Sequence, residues 1–351
     1  FARERFSPKS ADIYKDIFFF GDEQKETFER IFGSRDSFIV SGNPRIDMWQ
    51  SKCYNLYETI KEDIKKKYGN FVLLPLNFSF YTNSSKHYGS KIKDLGSSYK
   101  VLADKAEFIF DHFCKLAERF ASEEKIKVII RPHPADDLQT VKKLMFKHGV
   151  RSNLVKCIST YEVFPWISAA QILFHNCCTT SLEAGFFGTP VVTYAPSKIS
   201  LLQKSDINNL FPIAQSYNEA LKFMNSDKNN VSLGFKDSIS TWRSLSLKNS
   251  GNTASFIANR ILQRNKFEPS QDLKIKTSSI DFKRLKNEVK GKVASLIGQH
   301  NNKVYLDKFP STNKEEIRNI VHHISKYRGN NEQLKINSIN SRLFLITSQK
   351  A

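Results

Sequence analysis

The 351-residue chain is 40% apolar and 25% charged and carries 28 Phe and 12 Tyr, a size and composition that exclude a single small module and global disorder. No apolar run approaches the roughly 18 residues that span a bilayer, which argues against an integral membrane protein. Lys and Arg number 54 against 35 Asp and Glu, a formal net charge of +19, which fits an anionic partner and equally a Lys-rich bias spread over solvated faces.

Zinc-finger spacing, an RNP-type aromatic motif and basic heptads are all missing, so no nucleic-acid partner is expected. The chain opens at Phe1 without a charged-then-apolar leader, and the start of the protein is expected to lie upstream. Cysteines stand at 53, 114, 157, 177 and 178 with no CxxC pair. That pattern argues against a disulfide framework and a zinc site and fits a reducing cytoplasm.

In chain order, short apolar runs at 17–20, 37–40, 71–76, 127–130, 171–174 and 191–194 predict strands. Segments of helical period at 23–32, 49–68, 99–121, 136–148, 161–169 and 181–187 lie between them. The alternation predicts an α/β class with parallel sheets covered by helices. Two strands precede residue 49 and four follow residue 69, so residues 1–68 read as the end of one Rossmann-like domain, apparently truncated, and 69–265 as a fuller second one. Further helices are expected near 217–224 and 252–265, and 266–351 reads as a basic linker with a helical tail. The linker suits a solvated connector or a surface helix resting on acidic lipid.

Ligands of open parallel sheets bind beyond the carboxyl ends of the strands, and four polar clusters fall there: SGNPRID (41–47), RPHPADD (131–137), HNCCTTSLEAG (175–185) and YAPS (194–197). In the third, Thr179, Thr180 and Ser181 open a helix whose amides and dipole suit a phosphate; Thr180 with Glu183 equally suits a capping box. In the second, Arg131 and His133 stand at a strand end stiffened by Pro132 and Pro134, and suit a phosphate or a leaving group gaining charge. In the first, Asp47 lies beyond Asn43 and Arg45, as a general base, a nucleophile, a helix cap or an ion-pair partner of Arg45. His175, Asn176 and Tyr194 are candidates to line the same crevice, with a bonded strand end as the other reading of His175 and Asn176, and the one preferred for His175. Cys177 and Cys178 read as small packing residues. No GxGxxG or P-loop run is present, which argues against a dinucleotide or an ATP-hydrolysing site.

GNPRID with YGNFVLLPLNFSF, VIIRPHPADD and HNCCTTSLEAGFFGTPVVTYAP, in that order, resemble the bacterial surface carbohydrate biosynthesis proteins, relatives of the retaining Kdo-type transferases, and KFPST (308–312) is a weaker further piece. The resemblance covers about 17–197. It implies a GT-B-like fold of two Rossmann-like domains and transfer of Kdo or a related sugar from a CMP-activated donor to a glycan or lipid-linked glycan. By position it implies that His133 and Pro134 meet the nucleotide phosphate, that Thr179, Thr180 and Ser181 form a phosphate-binding motif, and that Asp47 is the motif Asp of the amino-terminal domain. It implies no metal and no cofactor beyond the nucleotide-sugar substrate. A cytoplasmic enzyme held peripherally to anionic lipid is expected. The family's long stretch upstream of the GDEQKE helix (21–26) is missing from this sequence, and a polypeptide without it can bind nucleotide and still fail to turn over. A CDP-glycerol-type glycerophosphotransferase, a degenerate glycan- or nucleotide-binding scaffold and, more distantly, a non-hydrolysing sugar-nucleotide epimerase are the rival readings.

Overall fold

A computed structural model describes residues 14–49, 57–82, 89–134, 136–196 and 206–264, and in the tail 315, 317, 318, 321, 334–340 and 343–348. The chain forms two compact units, Phe1–Arg264 and Asn265–Ala351.

The first unit opens with β1 (Ile17–Phe19), α1 (Asp22–Phe32) and β2 (Phe38–Val40), the two strands pairing in parallel. Phe19 and Phe38 are buried between them with Phe28 and Phe32 of α1 packed against them, a small core of its own. Next come α2 (Ile46–Trp49), α3 (Glu58–Tyr68), β3 (Phe71–Pro75), α4 (Ser79–Thr82), α5 (Gly89–Ser122), β4 (Lys127–Arg131), α6 (Leu138–Lys147), β5 (Val155–Cys157), α7 (Val163–Ala169), β6 (Ile172–His175), α8 (Thr180–Phe187) and β7 (Val191–Tyr194). A 3₁₀ turn at Asp206–Leu210, β8 (Ile213–Ala214), α9 (Tyr217–Met224), α10 (Lys228–Thr241) and α11 (Thr253–Arg264) complete the unit.

Six strands make one parallel sheet in the order β5-β4-β3-β6-β7-β8. The chain therefore runs outward from β3 to one edge, returns, and runs outward from β6 to the other, the doubly wound arrangement of a dinucleotide-type α/β sheet. Every residue of β3 is buried, as a central strand covered on both faces requires. Val72 and Leu74 face one layer with Phe110, Phe113 and Phe120 of α5, and Phe71 and Leu73 face the other with Trp166 of α7. The α/β class with parallel strands is thus as expected.

Three boundaries differ. Ile46 and Trp49 of α2 and Ile64 of α3 are buried in the core beneath the large sheet, so residues 46–68 join it instead of the small amino-terminal layer. β5 and β8 extend the sheet beyond the four strands anticipated. In the tail, where helix is expected, β9 (Leu334–Asn340) and β10 (Leu343–Ser348) pair as an antiparallel hairpin with Ile336 opposite Ile346. KFPST and the whole basic linker over 265–304 lie outside the described residues.

Candidate functional site

The strand order reverses between β3 and β6, and this is where loops leave the sheet in opposite directions and open a crevice. Asn77, just beyond β3, donates its side-chain amide to the Cys177 carbonyl beyond β6 at 2.8 Å, across that reversal. The β6–α8 turn passes through Cys177 at φ 50°, a left-handed conformation costly for a residue with a Cβ. Asn208 holds it there: its side-chain oxygen accepts the Cys177 amide at 2.8 Å and its nitrogen donates to Cys177 Sγ at 3.1 Å. Two asparagines distant in sequence thus fix the turn that launches α8.

α8 begins with Thr179 as N-cap and with no side-chain cap hydrogen bond, so the capping box between Thr180 and Glu183 does not form. Ser181 is buried and donates its hydroxyl to the Cys178 carbonyl at 2.7 Å. Thr179 is exposed and Thr180 half-buried. Thr180 in turn bonds the Cys178 thiol through its hydroxyl and amide, so of the three hydroxyls expected at a phosphate two are engaged in the turn. Cys177 and Cys178 are buried packing residues, as expected.

Glu183 has an 8% exposed side chain, with Arg45 Nη2 at 3.4 Å from one oxygen; its other oxygen is buried without a hydrogen-bond partner among the described residues. Burial pushes its pKa up to about 7, against the pull of Arg45 and with a further push from Glu162. This contact joins the first polar cluster to the third. Asn43 closes that first loop locally, its side-chain oxygen accepting the Arg45 amide at 3.0 Å.

Asp47 accepts the backbone amides of Gly251 at 3.0 Å, Thr253 at 3.2 Å and Ala254 at 2.9 Å. Of the roles left open by the sequence, the geometry shows a cap, and the helix capped is the distant α11.

Arg131, expected at a phosphate, is turned into the core. It is 9% exposed, donates to the carbonyls of Thr160 at 2.7 Å and Tyr161 at 2.9 Å, and lies 5.5 Å from the Trp166 ring centroid. Burial lowers its pKa to about 10, so it stays a cation at neutral pH. The loop it anchors holds Tyr161 at φ 60° with its ring exposed at the carboxyl edge, a feature that no sequence signal marks. Tyr194 is likewise a core residue: its ring packs on Phe113 at 5.5 Å and its carbonyl accepts the Asn176 side-chain amide at 3.0 Å. The Asn176 side-chain oxygen is buried without a partner among the described residues.

His175 is fully buried. The Thr193 hydroxyl donates to the Asn208 carbonyl at 2.9 Å, so His175 Nε2 at 3.1 Å must be the donor to Thr193, which assigns the neutral ring with its proton on Nε2. Burial lowers its pKa to about 3. It is a bonded strand end, as expected.

His133 is half-buried and Pro134 exposed. Asp136 secures their loop: one oxygen accepts the His133 amide at 3.1 Å, and the other accepts the hydroxyls of Ser79 at 2.9 Å and Thr82 at 2.8 Å. The His133 loop and the α8 turn follow β4 and β6, with β3 between them, so they share one end of the sheet about 10 Å apart by strand spacing. A cavity of about 420 Å³ lies elsewhere, lined by Ile39, Phe256, Asn259, Arg260 and Gln263; its walls include none of the chemistry-bearing clusters. Among the described residues no helix is long and apolar enough to cross a membrane.

No protein-family model matches the chain, and a search of curated proteins found no match. Among solved structures, the chain is similar to the wall teichoic acid polymerase TagF at 13% identity and a TM-score of 0.45, covering 73% of this chain and 60% of that one. It is similar to S. aureus MnaA in a co-structure with UDP at 13% identity and a TM-score of 0.47, covering 73% and 61%. A third likeness is to the UDP-GlcNAc 2-epimerase of Neisseria meningitidis bound to UDP-GlcNAc, at 15% identity and a TM-score of 0.43, covering 72% and 62%. The chain spans about three fifths of the length of these proteins.

Proposed function

We infer that the chain is the nucleotide-sugar-binding part of a metal-independent GT-B transferase of surface-glycan assembly. It takes Kdo or a related sugar from a CMP-linked donor to a glycan or lipid-linked acceptor at the inner face of the membrane. The observation that carries this reading is the meeting of the His133 loop, the Cys177 turn and the Arg45–Glu183 pair at one end of a doubly wound sheet, at residues similar to the motifs of that family. His133, Pro134 and the start of α8 receive the donor phosphate, where the exposed Thr179 hydroxyl and the helix dipole meet the charge that develops on the departing nucleotide. We assign Asp47 to the α11 cap and take the nucleophile from outside the described residues.

Calorimetric titration with CMP-Kdo, CMP-sialate, CDP-glycerol and UDP-GlcNAc tests the reading. The CMP-sugars are expected to bind most tightly, with His133→Ala weakening them by about tenfold through one lost charge-assisted contact. Preference for CDP-glycerol would move the chain to glycerophosphotransfer, and binding without transfer in a version extended at its amino terminus would make it a scaffold.

A further inference from the structure

Away from the crevice, three side chains from three helices line up as an acid, an imidazole and a hydroxyl. Asp111 of α5 stands 2.9 Å from His148 Nδ1, where α6 ends, and Tyr81 of α4 places its hydroxyl 2.8 Å from His148 Nε2. A carboxylate facing Nδ1 fixes the proton there, leaving Nε2 to accept from the Tyr81 O–H. The order matches an acid–base–nucleophile triad, and two facts exclude that use. Burial and the neighbouring Glu107 raise the Tyr81 pKa, the reverse of an activated nucleophile. The ring is also wedged between Phe110, tilted against it at 5.5 Å between centroids, and His148, edge-on at 5.8 Å.

The location of Tyr81 suggests another use. α4 is only four residues long and follows the central strand directly. Ser79 and Thr82, on its other side, are the two hydroxyls that hold Asp136, and Asp136 holds the His133 amide. The short helix has one set of bonds to the His133 loop and one to the Asp111–His148 pair. The remaining charged groups facing His148 and Tyr81 are Glu107, 3.7 Å from Nε2, and Lys147, which bonds Glu107 at 3.0 Å and reaches the Tyr81 hydroxyl at 3.4 Å; Lys115 bonds Asp111 at 2.7 Å. The two bonds of the relay thus cross between elements, while the second Asp111 oxygen pairs with Lys115 on its own helix.

We propose that Asp111, His148 and Tyr81 form a positioning relay that sets the pose of the His133 loop through α4 and Asp136. The relay stands on this geometry alone; its consequence for ligand affinity rests on the reading of that loop as part of the donor site.

Amide exchange on the full chain tests the relay without ligand. Tyr81→Phe keeps the ring and removes only the hydroxyl, and it is expected to speed exchange at the His133 amide about tenfold while the amides of β3 and β6 keep their rates. Asp111→Asn, a second variant that preserves volume, is expected to act in the same direction. In an Asp136→Asn background, Tyr81→Phe should add nothing further, because the link it acts through is already broken. An unchanged rate at His133, an equal rise across β3 and β6, or full additivity with Asp136→Asn would each overturn the relay. Titration of Tyr81→Phe with CMP-Kdo then separates the two claims. A Kd raised in step with exchange supports both, whereas faster exchange with an unchanged Kd keeps the relay and removes the His133 loop from the donor site.

Discussion

The carboxylate of Asp47 accepts the amide of Ala254 at 2.9 Å, 207 residues further along the chain. With the amides of Gly251 and Thr253 it meets the exposed donors and the positive end of α11, and so pins the last helix of the unit to the first polar loop. Asp47→Ala should cost about 2 kcal/mol, the upper end for loss of a single cap, because three donors lose their acceptor. Asp47→Asn keeps one oxygen and should cost less. Urea midpoints check both. An unchanged midpoint accompanied by lost transfer would return Asp47 to the chemistry.

Gly21 and Gly42 sit where the small amino-terminal layer meets the segment after α10. A Cβ at Gly21 would enter the backbone of Arg243 and Ser244, and one at Gly42 would stand 2.7 Å from the Ser246 carbonyl oxygen at a φ of 85°. The Ser246 amide donates to the Phe20 carbonyl at 2.7 Å between them, and Arg243 pairs with Glu26 alongside. Backbone cannot yield as a flexible side chain would. Gly21→Ala is therefore expected to destabilise by at least about 2 kcal/mol by overpacking, and more than Ala at the uncrowded Gly188 C-cap. Equal effects at the two positions would refute the crowding.

Arg131→Met tests a buried cation. The substitution removes donors to Thr160 and Tyr161 while filling similar volume. Loss of two charge-assisted bonds should cost about 2–3 kcal/mol and release the strained Tyr161 loop, seen as faster amide exchange at 158–162. If Arg131 instead met a phosphate, the variant would lose nucleotide affinity and leave that loop protected.

How much of this was legible in the sequence depends on where each residue's partners lie. Strands β3, β4, β6 and β7 read clearly because burial on both faces demands continuous apolar runs such as Phe71–Pro75. β5 escaped detection because an exposed Lys156 interrupts its three residues, unlike the apolar β1 and β2, and β8 because it has only two. The tail hairpin was hidden by its Asn and Ser content, although Leu334 and Ile336 alternate with polar residues. For the site, the position of the clusters at strand ends was readable, since strand polarity alone fixes it. The duties of Asp47, Arg131 and Tyr194 were not, because their partners at 251–254, 160–161 and 113 are brought in only by the tertiary fold. Asn208 carried no local signal at all; Asn77, directly after an apolar run, carried a weak one.

Two buried groups at the β6–α8 junction give stability opposite dependences on pH. Glu183 is raised by burial from 4.5 to about 7, so the folded state holds its proton where the unfolded chain has released it. Its contribution is fully present below pH 4.5 and is lost as pH rises to about 7, a change of about 3 kcal/mol. His175 is lowered by burial from 6.5 to about 3, so the unfolded chain takes the proton first. Its contribution is present above pH 6.5 and is lost as pH falls towards 3, by about 5 kcal/mol at the bottom of that window. Between pH 4.5 and 6.5 the two slopes oppose and nearly cancel. Glu183→Gln removes one slope only, so it should uncover the rise due to His175 between pH 4.5 and 6.5 and raise the urea midpoint at pH 8 relative to the parent. His175→Gln can still donate to Thr193 and should flatten the acid limb while leaving the pH 8 response to Glu183 intact. Midpoints collected from pH 4 to 8 for the two variants decide the matter: if both shift the same limb, the two groups are not titrating in the buried states assigned to them.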